Sequence, residues 1–201
     1  VNGIGAPSPQ SAVMDWNKGQ NYVKQSENFD NSDWAKYTSF GGTLNRTSNY
    51  AEAPDGSQTA TRIEAAFDPN QSPSYGLLST DASTSTSGNY IGSLWLKSNT
   101  GSSQNISMYV RAGINGSDIL VTNEWQRVTK QGSGVNNYLT FGTRNDIGSA
   151  DANIDILVWG ASINYGTEVD SYVPTYGSGQ ESDVLLPQGL TTGRDITGVN
   201  L

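Results

Sequence analysis

The stretch that decides the fold is residues 90–97, which reads YIGSLWLK. Leu94 and Leu96 fall on one side of an extended chain, because successive side chains of a β-strand point to opposite faces. Trp95 and Lys97 fall on the other side. The stretch therefore predicts a β-strand with one aliphatic face and one face that combines an aromatic ring with a polar group.

Two further stretches, residues 105–111 and 137–141, repeat this alternation. In each stretch the aliphatic side chains point to one face of the strand. The opposite face carries Tyr109 and Arg111 in the first stretch and Tyr138 in the second. The side chains expected in the core are Leu94, Met108 and Leu139, and those expected to point away from it are Trp95, Tyr109 and Tyr138.

The rest of the chain is typical of short strands separated by turns. Turn sequences such as Pro54-Asp55-Gly56 and Asp68-Pro69-Asn70 interrupt it, and no stretch of a dozen residues has a helical apolar stripe. Eight or more short strands at this spacing predict an all-β fold, a two-sheet antiparallel β-sandwich of the jelly-roll type. The other predicted strands are residues 38–46, 58–65, 75–79, 125–130 and 154–163.

The composition excludes several classes of function. Net charge is -8, which disfavours nucleic acid and anionic membranes as partners, since a phosphate backbone requires a basic surface. No apolar run approaches transmembrane length, so no membrane insertion is expected. The chain has no Cys and no His, which removes disulfides, thiolate zinc sites and a Ser-His-Asp triad.

Composition also divides the chain into three parts. Residues 1–20 are rich in Pro, Ser and Gly and are interpreted as an N-terminal linker or arm, and residues 21–176 as the sandwich. Residues 177–201 are interpreted as a C-terminal linker or arm, either packed on the domain or leading into a following one. The chain is therefore expected to be part of a longer protein with neighbouring domains.

A series of short motifs, in this order and spacing, points to a family. They are NYVKQSENFD at residues 21–30, APDGS at 53–57, GSLWLK at 92–97, EWQRV at 124–128 and VWGASI at 158–163. Together they resemble a recurrent domain of phage tail and head-fibre proteins, which is similar to the carbohydrate-binding jelly-roll modules of bacterial glycoside hydrolases. The resemblance covers about residues 21 to 176. It implies a carbohydrate-binding β-sandwich on a virion or on a secreted, extracellular protein.

The resemblance also implies a structural calcium ion. In many of these modules an acidic side chain just after the Phe of the first motif and an Asp of the last strand bind the ion. Here Asp30 follows Phe29, but the last strand reads Trp159-Gly160 where the second carboxylate is expected.

The side chains of the three alternating strands that point away from the core predict the binding site. If the strands share one sheet, its outer face offers flat rings for the apolar faces of sugars and polar groups for their hydroxyls. Alternatively, these rings pack under loops or against a neighbouring subunit. The predicted carbohydrate-binding residues are Trp95, Tyr109, Tyr138, Lys97, Arg111 and Arg127, with Trp34 and Tyr75 as candidates at the edge of the sandwich.

Other tryptophans and acidic residues have more ordinary explanations. Trp125 and Trp159 are expected to be structural, and for Trp34 structural anchoring is favoured over a contact with the ligand at the rim. An acid and base pair of a glycosidase would have to come from Asp151, Asp155 or Glu124, all expected to be exposed acids near turns.

The sequence therefore predicts a non-catalytic polysaccharide-binding module, accessory to a phage virion protein or to a polysaccharide-degrading enzyme. Its partner would be a polysaccharide or a cell-surface glycan. The alternative is a structural decoration or fibre domain of a virion that binds no glycan.

Overall fold

The computed structural model describes residues 20–82, 84, 86–110, 117–177 and 180–181. These residues form β-strands and, within the described ranges, no helix. In chain order the strands are β1 (Gln20–Asn21), β2 (Trp34–Ser39), β3 (Thr43–Ala51), β4 (Ala60–Ala66), β5 (Tyr75–Asp81), β6 (Gly88–Ser98), β7 (Gln104–Val110), β8 (Ser117–Val121), β9 (Gln126–Gly134), β10 (Tyr138–Arg144), β11 (Asn153–Tyr165) and β12 (Gln180–Glu181).

Ten of these strands form two five-stranded antiparallel sheets that pack face to face. Sheet I has the order β2-β5-β10-β7-β8, and sheet II has the order β3-β4-β11-β6-β9. Consecutive strands repeatedly change sheet, as in a jelly roll. The predicted all-β antiparallel sandwich is confirmed.

The core between the sheets follows the alternation of the sequence. Leu94, Met108 and Leu139 are fully buried, as predicted. The neighbouring rings of Trp95, Tyr109 and Tyr138 lie on the outer faces of the sheets, because successive side chains of one strand point to opposite faces. The predicted parity of the three strands is therefore confirmed.

The predicted strand at residues 38–46 is wrong, because a hairpin turn interrupts it. β2 ends at Ser39 and β3 begins at Thr43. Phe40 and Gly41 between them have positive φ angles of 45° and 84°, which reverse the chain direction. Gly42 packs so closely on β5 that a Cβ atom there would clash with the carbonyl oxygen of Tyr75.

The three aromatic strands do not share one sheet, so the condition for a joint binding face is not met. β7 and β10 are neighbours in sheet I, whereas β6 lies in sheet II between β11 and β9. Alternation determines which side chains point outward but not which sheet a strand joins. Trp95 therefore lies on the opposite side of the molecule from Tyr109 and Tyr138.

A short ladder joins the two ends of the described chain. Gln20 and Asn21 of β1 pair with Glu181 and Gln180 of β12. The side-chain amide of Asn21 donates to the carbonyl oxygens of Ala161 and Val173 at 3.0 and 2.9 Å. Except for these pairs and Gly177, the predicted linkers at residues 1–20 and 177–201 lie outside the described residues.

Candidate functional site

The outer face of sheet I contains a groove of about 400 Å³, here called the tyrosine groove. It crosses β2, β5, β10 and β7, and four of the side chains that line it are tyrosines. The lining residues are Tyr37, Tyr75, Leu77, Ser79, Tyr109, Tyr138, Thr140 and Arg144.

The floor of the tyrosine groove is low because its middle strands carry small residues. Gly142 lies opposite Leu77 in the sheet and adds no side chain. A Cβ atom at Gly142 would clash with the carbonyl oxygen of Gly76, so the local backbone requires glycine here. Ser79 and Thr140 lie opposite each other, and their hydroxyl oxygens are 2.6 Å apart. The floor therefore consists of Leu77 and the low side chains of Ser79 and Thr140, beneath taller aromatic walls.

The four tyrosines of the groove differ in exposure. The side chains of Tyr37 and Tyr138 are open to solvent, at 53% and 37% exposure, whereas Tyr75 and Tyr109 are partly buried. Burial raises the pKa of the Tyr109 hydroxyl. This group, like any tyrosine hydroxyl, is protonated at neutral pH and can donate a hydrogen bond. The groove thus offers both ring faces and phenolic hydroxyls to a ligand.

Arg144 closes one end of the tyrosine groove. Its guanidinium lies 5.8 Å from the ring centroids of both Tyr75 and Tyr109, within the range of a cation–π contact. Its Nε and Nη2 atoms donate to the two carboxylate oxygens of Asp146, each at 2.7 Å. These bonds hold the pKa of Asp146 below its ordinary value and keep the pair ionised.

The outer face of sheet II also carries aromatic rings, here called the tryptophan cluster: Trp95, Trp125, Trp159 and Tyr172. The ring of Tyr172 packs on Trp159 with a centroid distance of 4.8 Å, and Trp159 is only 5% exposed. The Tyr172 hydroxyl is anchored on Ser26 and Glu27 at 2.9 Å each. The chain that follows β11 therefore covers these rings.

Three predicted binding residues lie on this face of sheet II and not in the tyrosine groove. Trp95 packs in the tryptophan cluster, and Lys97 follows it on the same face of β6. Arg127 donates to the hydroxyl of Ser93 at 3.2 Å and to the carbonyl oxygen of Asp170 at 2.9 Å. β6 and β9 belong to sheet II. The prediction that Trp95, Lys97 and Arg127 lie together with Tyr109 and Tyr138 is therefore wrong.

Trp34 has the structural role that the sequence favours and is not a contact for a ligand at the rim. Its side chain is 1% exposed and packs between the sheets against Phe29 and Phe141, at centroid distances of 4.8 and 5.9 Å. Its indole N–H donates to the carbonyl oxygen of Gln25 at 2.8 Å. Trp34 begins β2 on the inner face of sheet I, and this position makes it an anchor of the core.

The remaining predicted residues are Tyr75 and Arg111. Tyr75, expected at an edge loop, begins β5 and lines the tyrosine groove beside Tyr109 and Tyr138. Arg111 lies outside the described residues.

Asp30 does not fit the calcium site that the resemblance implies. A cationic side chain already stands beside it, since Nε of Arg46 lies 3.2 Å from Oδ1 of Asp30. Arg46 also donates to the carbonyl oxygens of Phe29 and Trp34, at 2.6 and 2.9 Å. Ca²⁺ requires six to eight oxygens, and no group of three or more acidic side chains in the described ranges could hold a metal.

The sequence interpretation missed Tyr37 and Arg144. Arg144 points to the same face of β10 as Tyr138 and Thr140, but the predicted strand ended at Phe141. Tyr37 immediately precedes the stretch taken as a strand at residues 38–46. Extending each predicted strand in both directions would have found both side chains.

Comparisons with known proteins concern the fold. No family model matches the chain, and no curated protein does. Similar solved structures include the CBM22-1 and GH10 modules of xylanase 10B from Clostridium thermocellum, complexed with xylohexaose (TM-score 0.45, 14% identity, 80% of this chain, 30% of that chain). Others are the CBM22-1 xylan-binding domain of Xyn10C from Paenibacillus barcinonensis (0.44, 14%, 75% and 94%) and the enzymatically active domain of tailspike protein 4 from bacteriophage CBA120 (0.48, 13%, 73% and 21%).

These structures belong to the two classes that the sequence resemblance named, carbohydrate-binding modules and phage tail proteins. The chain spans less than a third of the xylanase structure that it matches. In the described part of the chain, no helix is long and apolar enough to cross a membrane.

Proposed function

We propose that this chain is a non-catalytic glycan-binding domain whose ligand lies in the tyrosine groove. The observation that supports this proposal best is the arrangement of four tyrosine rings around a floor of Leu77, Ser79 and Thr140. The volume of about 400 Å³ falls within the range of small-molecule sites, about 300–1,000 Å³.

The lining of the groove matches the two surfaces of a sugar ring. A pyranose has an apolar C–H face, which packs on a flat aromatic ring, and hydroxyl groups at its edge. Tyr37 and Tyr138 are exposed enough to accept such a face. Ser79, Thr140 and Arg144 supply donors and acceptors for the hydroxyls.

A binding role is preferred to a catalytic one because none of the candidate carboxylates lines the tyrosine groove. Asp155 accepts two hydrogen bonds from Arg62, which lower its pKa, so it would be a poor proton donor at neutral pH. A carboxylate oxygen of Asp151 accepts from the backbone N–H of Asn105 at 2.9 Å. Neither these two acids nor Glu124 lines the tyrosine groove.

The proposal extends to the setting of the domain. We place it as an accessory module of a longer protein on a virion or outside the cell, next to a receptor-binding or polysaccharide-degrading domain. The sequence resemblance supports this setting, and the net charge of -8 argues against nucleic acid as the partner.

Affinity electrophoresis against plant, algal and bacterial polysaccharides, together with a glycan array, tests the proposal. We expect at least one polysaccharide to retard the protein and Tyr138→Ala to reduce that retardation. If no glycan binds at all, the domain is instead a structural decoration or fibre domain. Release of reducing sugar by the purified domain would show that it is an enzyme.

A further inference from the structure

Arg144 is the only charged side chain among the described residues that line the tyrosine groove. A lone guanidinium is a good receptor for carboxylates, which it can bind through two parallel hydrogen bonds. Here the protein fills that position itself, because Asp146 accepts bonds from Nε and Nη2 at 2.7 Å each. The guanidinium donors that would bind the carboxylate of an acidic sugar are therefore already occupied.

The pair is fixed in place by its surroundings. The guanidinium lies between the rings of Tyr75 and Tyr109, and its Nη1 atom is 3.5 Å from the Tyr109 hydroxyl. The side chain of Arg144 is 15% exposed and that of Asp146 is 26% exposed. Such a partly buried pair, bound through two hydrogen bonds, is less easily separated by a competing anion than a flexible surface pair.

The overall charge of the chain also disfavours acidic ligands. The whole chain carries a net charge of -8, which lowers the local concentration of anionic polymers. Because Asp146 neutralises the charge of Arg144, the described residues that line the tyrosine groove offer no unpaired positive charge.

We infer that Asp146 is a specificity-determining residue, which cancels the charge of Arg144 so that the groove accepts uncharged sugar units and rejects those carrying a carboxylate. The inference rests on the proposed function of the tyrosine groove. Asp146 does not line the groove itself and acts through Arg144, so it is a positioning residue. It leaves Nη1 of Arg144 as the donor for a neutral hydroxyl.

The variant Asp146→Asn tests this role, because it keeps the shape of the side chain and removes its charge. The chain provides a matched control in Asp155→Asn. Asp155 forms the same two-bond pair with Arg62, at 2.8 and 2.7 Å, but on the outer face of sheet II. Both variants change the net charge by the same amount, and only Asp146→Asn frees an arginine in the groove.

Wild type and both variants are compared on a glycan array that carries neutral and uronate-containing oligosaccharides, with circular dichroism as a check of folding. We expect wild type and Asp155→Asn to bind neutral glycans only. Asp146→Asn should raise the ratio of acidic to neutral binding about tenfold, since one unpaired charge near a protein surface contributes an interaction of this order.

The possible results distinguish a failure of the inferred role of Asp146 from a failure of the proposed function. If no variant and no wild-type protein binds any glycan, the proposed function fails. If wild type binds neutral glycans and Asp146→Asn keeps the same selectivity, only the role of Asp146 fails. Preferential binding of acidic glycans by wild type would also overturn this role, and an equal change in Asp155→Asn would assign the effect to net charge.

Discussion

The outer faces of the two sheets both carry aromatic rings, but they differ in what covers them. On sheet II, Tyr172 packs on Trp159, which is only 5% exposed, and the other rings of the cluster are partly buried. On sheet I, Tyr37 and Tyr138 remain open and flank a groove. Alternation along a strand places a ring outside the core, and a covering segment then determines whether a ligand can reach it.

The covering segment on sheet II is held by specific bonds. The Tyr172 hydroxyl donates to the Glu27 carboxylate and is also hydrogen-bonded to the Ser26 hydroxyl, and the carbonyl oxygen of Asp170 accepts from Arg127. Burial raises the pKa of Tyr172 further above its ordinary value, so this donor stays protonated. The tryptophan cluster is therefore a second, smaller core, and the tyrosine groove is the candidate binding surface.

The largest effect that this comparison predicts is on stability. Trp159→Ala removes the ring on which Tyr172 packs and the indole N–H that donates to Thr59 at 3.1 Å. We expect the free energy of unfolding to fall by about 3 kcal/mol, the lower end of values for a buried Trp. Urea unfolding followed by circular dichroism measures this change.

The same variant should bind glycan as tightly as wild type when it is assayed in the absence of denaturant. Loss of binding in folded Trp159→Ala would show that the tryptophan cluster is part of the site. A stability close to wild type would show that Tyr172 does not cover it.

A smaller loss of stability is expected at the bend of β11. Gly160 has a φ angle of 63°, and a Cβ atom there would lie 2.9 Å from Cδ1 of Trp95. Gly160→Ala should cost about 2 kcal/mol, from the left-handed backbone and from this contact. Unfolding curves of the purified variants give the value.

Gly101→Ala is the matched control for this prediction. Gly101 also has a positive φ angle, of 79°, but no atom lies within 4 Å of its Cβ position. It should cost about 1 kcal/mol, from the backbone alone. Equal costs at the two positions would mean that Trp95 is free to move and that the tryptophan cluster is loosely packed.

The next effect concerns binding. Tyr138→Ala should weaken glycan affinity about tenfold and change stability little, because this ring is exposed and a ring stacked on a sugar contributes on the order of 1 to 2 kcal/mol. Isothermal titration with the polysaccharide that retards the wild type measures it. The control is Tyr50→Ala, which removes an exposed tyrosine that stacks on Arg62 away from the groove. Equal losses in the two variants would argue against the tyrosine groove.

The sequence predicts the fold well because the core depends on local alternation. The two-residue alternation of apolar side chains is enough to predict the burial of Leu94, Met108 and Leu139, since a strand in a sandwich has one inner and one outer face. The turn at Phe40 was missed because an aromatic residue with a positive φ angle is uncommon and gives no turn signal. Gly41 and Gly42 after it were the better indication of a turn.

The site is less predictable because it depends on contacts between distant parts of the chain. Tyr109 and Tyr138 were identified together, but Trp95 was grouped with them because alternation does not distinguish between the two sheets. The covering of Trp159 by Tyr172 depends on the path of the chain after β11. The pairing of Arg144 with Asp146 is local, and the two residues were overlooked because the predicted strand was too short.

The most direct test of the central claim is a nuclear magnetic resonance titration of the labelled protein with an oligosaccharide of the polysaccharide that it binds. We predict that the ring signals of Tyr37, Tyr75, Tyr109 and Tyr138 shift and show contacts to sugar protons. The indole N–H signals of Trp95 and Trp159 should stay unchanged, because these rings lie on the opposite sheet. Shifts concentrated on the two indoles, with the four tyrosines unaffected, would contradict this account and place the ligand on sheet II.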